Sequence, residues 1–120
     1  MKDITNRWLA RNAKGKGVMA CGILYSDQTT TNHTASPNLP AAALDKAWHS
    51  LATAFQYLKQ NHSESDQMRW VFENYFLHCA MRSDSACLGI FTSRNEEEFD
   101  AVLVNKMISE FKALVNMDKR

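Results

Sequence analysis

The sequence predicts an α/β (α+β) domain, in which helices cover both faces of a five-stranded antiparallel sheet. Its segments follow the order helix, strand, strand, long helix, three strands, helix. Short turns join the consecutive strands, which favours antiparallel pairing. Several strands carry apolar residues on both faces, and these faces need helices to cover them. A chain of 120 residues has the length of one domain, which we assign to residues 1–120.

The first part of the chain predicts one short helix and two strands. Residues 4–12 favour a helix with Ile4 and Trp8 on one side, and the glycines and lysines of residues 14–17 end it. Residues 18–25 (VMACGILY) are apolar throughout, as in a strand that is buried on both faces. Residues 29–34 are rich in threonine and polar, which suits a strand at the edge of the sheet.

The long helix is predicted over residues 40–60 and has two distinct stripes. An apolar seam with 4-3-4-3 spacing consists of Leu44, Trp48, Leu51, Phe55 and Leu58. A stripe of small residues runs beside it and consists of Ala43, Ala47, Ser50 and Ala54. Small side chains allow another backbone or helix to approach closely. Two packing stripes are more than a simple two-layer domain requires.

Residues 68–95 predict three antiparallel strands in a row. A two-residue turn at Glu73-Asn74 places Arg69 opposite His78 and Val71 opposite Phe76. One face of this pair of strands then carries Met68, Trp70, Phe72, Tyr75, Leu77, Cys79 and Met81. The other face mixes Val71, Phe76 and Ala80 with Arg69, His78 and Arg82. The turn around residues 83–85 is compatible with a loop of either two or three residues. The register of the last strand, residues 86–92, therefore stays open.

The final helix is predicted to begin after Asn95, an N-cap that Glu98 completes as a capping box. It should run to about residue 115, followed by a frayed tail at residues 117–120. Its expected buried face consists of Phe99, Val102, Leu103, Met107, Phe111 and Leu114.

Composition excludes several classes of partner. A net charge of +1 gives no strong attraction to nucleic acid or to an anionic membrane. No apolar run approaches the roughly 20 residues of a membrane span, and the first residues lack the apolar segment of a signal peptide. Three cysteines without a CxxC spacing fit neither a disulfide framework nor a zinc site. We therefore expect a cytoplasmic protein with neither nucleic acid nor membrane as its partner.

No catalytic residue, metal site or cofactor is predicted. The four histidines include no pair at metal-ligand spacing, and the glycines form neither a P-loop nor GxGxxG. We expect His78 to be a half-exposed neighbour of Arg69. Cys79 and Cys87, on neighbouring strands, are expected to be buried free thiols. The alternative is that they form a redox-active pair.

The strand at residues 68–73 predicts a protein interface if it lies at the sheet edge. It would then offer unpaired backbone groups beside Trp70, Val71 and Phe72, with Arg69 as its single basic residue to oppose aggregation. Such an edge aggregates unless something covers it. Pairing with a second copy across a two-fold axis would cover it and bring two small-residue stripes together. Aromatic residues expected either in the core or at such an interface are Trp48, Phe55, Trp70 and Phe72.

The chain resembles the roadblock-type (roadblock/dynein light chain) family, which is related to longin and profilin-like folds. The resemblance covers roughly residues 17–114. It rests on the strand GVMACGILYSD, the polar strand TTTNHT, the helix LPAAALDKAWHSLATAFQYL, the meander RWVFENYFLHCAMRSDSACLGIFTSRN and a closing helix. The first helix, residues 4–12, is shorter than is usual in the family.

This resemblance implies the strand order 2-1-5-4-3, which places residues 68–73 at the edge. The long helix should lie on one face of the sheet, and the N- and C-terminal helices on the other. Family dimers join through this strand and the central helix. The positions carried over as the dimer interface are Ala43, Ala47, Ser50, Ala54, Arg69, Trp70, Val71 and Phe72.

Roadblock-type proteins are typically non-enzymatic scaffolds, and bacterial members regulate Ras-like small GTPases in polarity and motility. The resemblance therefore implies a homodimeric adaptor that binds a small GTPase or a signalling complex. Two alternatives stay open. One is a small-molecule sensor of profilin/PAS-like architecture, with an apolar cavity bordered by Trp48, Trp70 and Leu77. The other is an enzyme that uses Cys79 or His78.

Overall fold

The computed structural model describes residues 2–61 and 65–118. Its elements are α1 (Asp3–Asn12), β1 (Val18–Leu24), β2 (Thr30–Thr34), α2 (Ala41–Gln60), β3 (Gln67–Val71), β4 (Tyr75–Met81), β5 (Cys87–Ser93), α3 (Ala101–Ala113) and α4 (Val115–Asp118). The five strands form one antiparallel sheet in the order β2-β1-β5-β4-β3. The predicted fold class and strand order are confirmed. The polar sequence of residues 61–67 (NHSESDQ) predicts a loop between the long helix and the third strand, and part of this segment lies outside the described residues.

The sheet separates two apolar cores. On one face, α2 packs its seam, Leu44, Trp48, Leu51 and Phe55, and lies over β1, β2 and β5. On the other face, side chains of the N- and C-terminal helices, such as Trp8, Leu9, Met107 and Phe111, form the second core. Both faces of β1 and β5 are therefore buried, as the continuous apolar run of β1 predicts. Among the described residues, no helix combines the length and apolar character needed to cross a bilayer.

Trp48 fixes the position of α2 on the sheet. Its indole lies over Gly22 and Gly89, which are cross-strand partners on β1 and β5. A Cβ atom at Gly89 would lie 2.0 Å from Trp48 Cζ3, so only glycine leaves room for the ring. The indole Nε1–H donates to Asn32 Oδ1 over 2.6 Å, and the Asn32 amide donates to Asp45 Oδ1 over 2.7 Å. The helix is thereby held over the β2 side of the sheet.

The β3–β4 register agrees with the register predicted from the sequence, and the structure defines the β4–β5 register that the sequence left open. Arg69 pairs with His78 and Val71 with Phe76, as predicted. The β4–β5 loop has three residues, because the Arg82 N–H donates to the Ala86 carbonyl and Ser85 adopts φ 70°. A three-residue loop that ends in a left-handed residue is a common hairpin connection. Phe91 therefore lies on the α2 face, opposite Leu77.

The predicted start of the last helix is wrong. The Asn95 side chain accepts the N–H of Glu97 and caps only a turn, whereas α3 begins after Asp100, whose carboxylate accepts from Val102 and Leu103. Both residues can act as N-caps, and the sequence pattern selected the first. The later start leaves Val102 exposed instead of buried. The observed buried face of α3 consists of Val104, Met107, Ile108 and Phe111.

The expected frayed tail is ordered up to Asp118. Residues Val115–Asp118 form the short helix α4, and Asp118 makes an ion pair of 3.1 Å with Arg82. The Arg82 guanidinium also bonds to Asp84 and, over 3.1 Å, to the Thr5 hydroxyl. A buried positive charge requires such partners, and here they come from three separate parts of the chain. Residues 119–120 of the predicted tail lie outside the described residues.

Candidate protein-interaction surface

β3 is an open edge strand, because β4 is its only partner in the described part of the chain. The Phe72 N–H donates to the Tyr75 carbonyl over 2.9 Å, and the Met81 N–H donates to the Asp66 carbonyl over 2.8 Å. Hydrogen-bonded pairs alternate along an antiparallel ladder, so the even-numbered residues of β3 bond inward to β4. The backbone N–H and C=O groups of Gln67, Arg69 and Val71 therefore point outward from the sheet.

An apolar groove runs between this edge and the flank of α2, and we call it the edge groove. It arises because α2 lies over β1, β2 and β5, which leaves the α2 face of β3 half-exposed. The groove has a volume of about 490 Å³. Its lining consists of Leu39, Ala43, Lys46, Ala47, Ser50, Trp70, Phe72, Glu73, Asn74, Tyr75, Leu77 and Phe91.

Aromatic side chains connect the edge groove to the core. Trp48 in the core lies 5.8 Å from Phe91 between ring centroids, and Phe91 lies 6.3 Å from Phe72. Phe72 in turn lies 6.2 Å from Trp70 on β3, and Tyr75 packs edge-on against Phe91. Such tilted contacts are favourable aromatic geometries. The exposed rings are thus the outer end of a packed stack, which holds them in position at the surface.

The structure brings together five of the eight residues predicted for the interface. Ala43, Ala47 and Ser50 line the edge groove from α2, and Trp70 and Phe72 line it from the strand side. The other three do not line it: Ala54, half-buried further along α2, and Arg69 and Val71, whose side chains belong to the other face of the sheet. Val71 is nevertheless 56% exposed at the open edge.

The sequence interpretation missed several lining residues, of which Phe91 and Tyr75 matter most. Phe91 was missed because the register of β5 depends on the length of the β4–β5 loop. Tyr75 was placed on the correct face but was not assigned to the interface. The signal that could have identified it is its position directly after the turn, opposite Phe72 in the β3–β4 hairpin.

On the opposite face, cationic side chains support the same hairpin. The Arg69 guanidinium lies 4.4 Å from the centre of the Phe76 ring, a cation–π distance. Arg94 Nη1 donates to the carbonyls of Phe72 and Glu73, each over 3.3 Å. These contacts tie the β3–β4 turn to the end of β5. The turn thus has support of its own outside the ladder.

The prediction that His78 is half-exposed is wrong, because Phe99 and Phe76 pack against its ring and leave it 9% exposed. His78 Nε2 lies 2.9 Å from the Thr92 hydroxyl, with which it shares a hydrogen bond. Burial, followed by the nearby Arg69 charge, lowers the pKa of His78 to about 4. An imidazole with this pKa is a weak base at neutral pH.

The three thiols are free and buried. Burial raises the pKa of Cys21 and of Cys79 to about 12, and that of Cys87 to about 11. A thiol must ionise to act as a nucleophile, and these pKa values hold all three in the protonated form at neutral pH. Within residues 2–61 and 65–118, no group of three or more potential metal-binding side chains comes together.

No protein-family model and no curated protein matches the sequence. Solved structures do match it in fold. MglB from Myxococcus xanthus superposes with a TM-score of 0.67 at 11% sequence identity, over 88% of this chain and 79% of MglB. The roadblock/LC7 domain from Streptomyces avermitilis superposes with a TM-score of 0.63 at 16% identity, over 94% of this chain and 97% of that domain.

A third match is the gliding protein MglB from Thermus thermophilus, with a TM-score of 0.64 at 16% identity, over 93% of this chain and 87% of that protein. At these identities the similarity concerns the fold. It agrees with the strand order and the helix arrangement described above. The chain therefore folds as a roadblock-type domain.

Proposed function

We propose that this protein is a non-enzymatic homodimeric scaffold that binds and regulates a Ras-like small GTPase. The observation that carries the proposal is the open edge of β3 beside the edge groove. Both features leave apolar surface and unpaired backbone groups exposed in a single copy. Native proteins cover such edges, and a second copy of the chain is the occupant that fits best.

The edge groove suits a second copy in both shape and charge. The small side chains of Ala43, Ala47 and Ser50 leave room for the helix of the other copy to approach α2. The charged residues that line the edge groove are one lysine, Lys46, and one glutamate, Glu73. A surface with no net charge meets its own copy without like-charge repulsion. The proposed interface thus combines the five sequence-predicted residues that line the edge groove with the aromatic side chains of Tyr75 and Phe91.

The proposed GTPase partner is supported by the fold and by the family resemblance. The domain shares its fold with two MglB proteins, one of which is described as a gliding protein. In the resembled family, bacterial members hold a GTPase in a competent state and need not supply catalytic residues. The weakly basic His78 and the protonated thiols favour such a non-enzymatic role. The proposal keeps the cytoplasmic location expected from the sequence.

A ligand sensor is less favoured, because Trp48 fills the space between α2 and the sheet. Its indole is fully buried against Gly22 and Gly89 and leaves no room there for a ligand. The edge groove touches Trp70 and Leu77 as the sensor alternative required, but it is bordered by an open strand edge. That geometry suits a protein partner better than an enclosed small molecule.

Sedimentation of purified protein tests the dimer. We expect the wild type to sediment as a dimer, and Val71→Lys to sediment as a monomer, because a positive charge at the open edge opposes strand pairing and would be repelled by Arg69 of the second copy. Val102→Lys is the matched control, since Val102 is 75% exposed on α3, away from the edge. Ala43→Arg should also give monomers by filling the edge groove, whereas Ala42→Arg, exposed outside its lining, should not. A wild-type monomer at high concentration would refute the homodimer.

Affinity capture from lysate of the source organism tests the partner. The immobilised wild-type protein is incubated with lysate containing either a non-hydrolysable GTP analogue or GDP, and bound proteins are identified by mass spectrometry. We expect a Ras-like GTPase to be enriched in one nucleotide condition. Recovery of no GTPase and no signalling protein in either condition would contradict the proposed regulatory role.

A further inference from the structure

We infer that two copies pair through β3 in a register centred on Trp70, so that the two Trp70 side chains lie opposite each other at the two-fold axis. This inference rests on the proposed homodimer and specifies how its strands meet. When a strand pairs with its own copy in antiparallel fashion, the residue on the axis determines every other pair. The candidate axis positions are Arg69, Trp70 and Val71, the last three residues of β3, where the exposed apolar side chain of Val71 lies.

An axis at Arg69 is disfavoured by charge. It would place two guanidinium groups directly opposite each other on the same face of the joined sheet. Like charges in directly opposed positions destabilise a strand pair. Arg69 also packs on the Phe76 ring, 4.4 Å from its centre, and would have to leave this contact to avoid its copy.

An axis at Val71 is disfavoured by the backbone. The outward-pointing groups of Arg69 would then have to pair with those of Glu73 in the second copy. Glu73 lies beyond the end of β3, in the turn that leads to β4. Its carbonyl already accepts a hydrogen bond from Arg94. This register would therefore require the supported turn to be rebuilt as strand.

An axis at Trp70 forms both of its central rungs from residues of β3, and Glu73 would face only Gln67, at the outer end of the pairing. Arg69 then faces Val71 of the second copy, and Val71 faces Arg69 of the second copy. These residues have the outward-pointing N–H and C=O groups, so both pairs can form full hydrogen-bonded rungs. Trp70 bonds inward to β4 and meets its copy in the closer, non-hydrogen-bonded type of pair. Aromatic pairs in such positions stabilise a sheet.

This register also completes the aromatic stack. In one copy the stack runs from Trp48 through Phe91 and Phe72 to Trp70, where it ends at the open edge. Placing the second Trp70 opposite the first would join two stacks into one that crosses the interface. Met68 would then lie opposite Phe72 of the second copy on the same face, and sulfur–aromatic contacts are favourable.

Disulfide cross-linking distinguishes the registers. With the axis at Trp70, Arg69 and Val71 of different copies lie about 5.5 Å apart between Cα atoms, within the range of a disulfide. Two copies of Arg69 are offset by two residues, about 7 Å along the strand, and lie beyond that range. Only the residue on the axis can link to itself. The native cysteines are buried, so the wild type is the background control.

We expect Arg69→Cys and Val71→Cys each to remain unlinked on a non-reducing gel, and the two variants co-expressed to form a linked dimer. Trp70→Cys, which retains Arg69 and Val71, should link to itself. Self-linking of Arg69→Cys or of Val71→Cys would move the axis and overturn this register while leaving the dimer intact. A sedimenting dimer with no linkage in any sample would remove β3 from the interface. A monomeric wild type would instead refute the proposed homodimer.

Discussion

Single residues at the sheet surface decide how closely α2 approaches. Gly22 and Gly89 form a gap in the side-chain layer, and Trp48 fills it. The sequence predicted Trp48 on the apolar seam of the helix, because helical spacing alone places it there. Spacing along one helix carries no information about which strand residues lie beneath, so the glycine pair was not predicted.

Gly89→Ala should destabilise the protein by about 1–3 kcal/mol, the usual range for overpacking a core. The new Cβ atom would lie 2.0 Å from Trp48 Cζ3. The Trp48 ring is fully buried and has no space to move away. Gly15→Ala is the control, since its Cβ would meet Leu103 Cδ2, the end of a half-buried flexible side chain. Urea unfolding measures both variants. Equal losses would show that the indole is not rigidly held.

The burial of His78 predicts a loss of stability in mild acid. Burial and Arg69 lower its pKa to about 4 in the folded protein, whereas an unfolded histidine has a pKa of about 6.5. The unfolded chain therefore binds the proton more readily. The contribution of neutral His78 to the free energy of unfolding is therefore complete above about pH 6.5. It decreases as the pH falls toward 4, by at most about 3 kcal/mol.

His78→Gln should weaken this pH dependence, because glutamine does not titrate. The free energy of unfolding, measured in urea at pH 5 and pH 7.5, gives the comparison. The wild type should lose more stability than the variant between the two values. An identical loss in both proteins would contradict the assigned pKa.

At the scale of elements, the sequence predicted the strands better than the last helix. The β3–β4 register followed from one short turn and from the alternation of side chains, and both are local signals. Two residues are suitable N-caps for the last helix, Asn95 and Asp100, and residues 96–99 separate them. The choice between them depends on the packing of Phe99 beneath the sheet, which is a tertiary contact.

Asp100→Ala should lower stability by about 1 kcal/mol, since it removes the acceptor for the N–H groups of Val102 and Leu103. Asn95→Ala removes the residue predicted as the cap from the sequence. It should cost less, because its side chain supports only a turn. Denaturant midpoints of the two variants measure the difference. A larger loss for Asn95→Ala would favour the start of the helix predicted from sequence.

For the whole molecule, Arg82 joins parts of the chain that lie far apart in sequence. Its guanidinium contacts Thr5 of α1, Asp84 of the β4–β5 loop and Asp118 of α4. The sequence predicted a frayed tail here, because a lone aspartate near the end of a chain shows no pattern. The edge strand and five of the twelve residues that line the edge groove were predicted, since the apolar content of β3 and the small stripe of α2 are visible without tertiary contacts.

Asp118→Ala should destabilise the protein by about 1–3 kcal/mol, because a buried arginine loses one of its two carboxylate partners. Asp84 remains, and the mutation also removes the unpartnered Oδ1 atom of Asp118, so the loss stays below that of a lone buried charge. Lys106→Ala is the control, because its ion pair with Glu110 is exposed and contributes little. Unfolding at low and high salt measures both. Equal effects of the two mutations would show that the Arg82 network is not a stabilising link.

The two margins of the sheet differ in a way that limits growth. The β2 margin presents threonine, asparagine and histidine, and the Asn32 side chain is already engaged by Trp48 and Asp45. Of the two sheet edges that the described residues form, the β3 edge is the apolar one. Once two copies pair through this edge, neither copy has an equivalent apolar edge left to bind a third copy. The proposed assembly would therefore stop at two subunits instead of polymerising into a fibre.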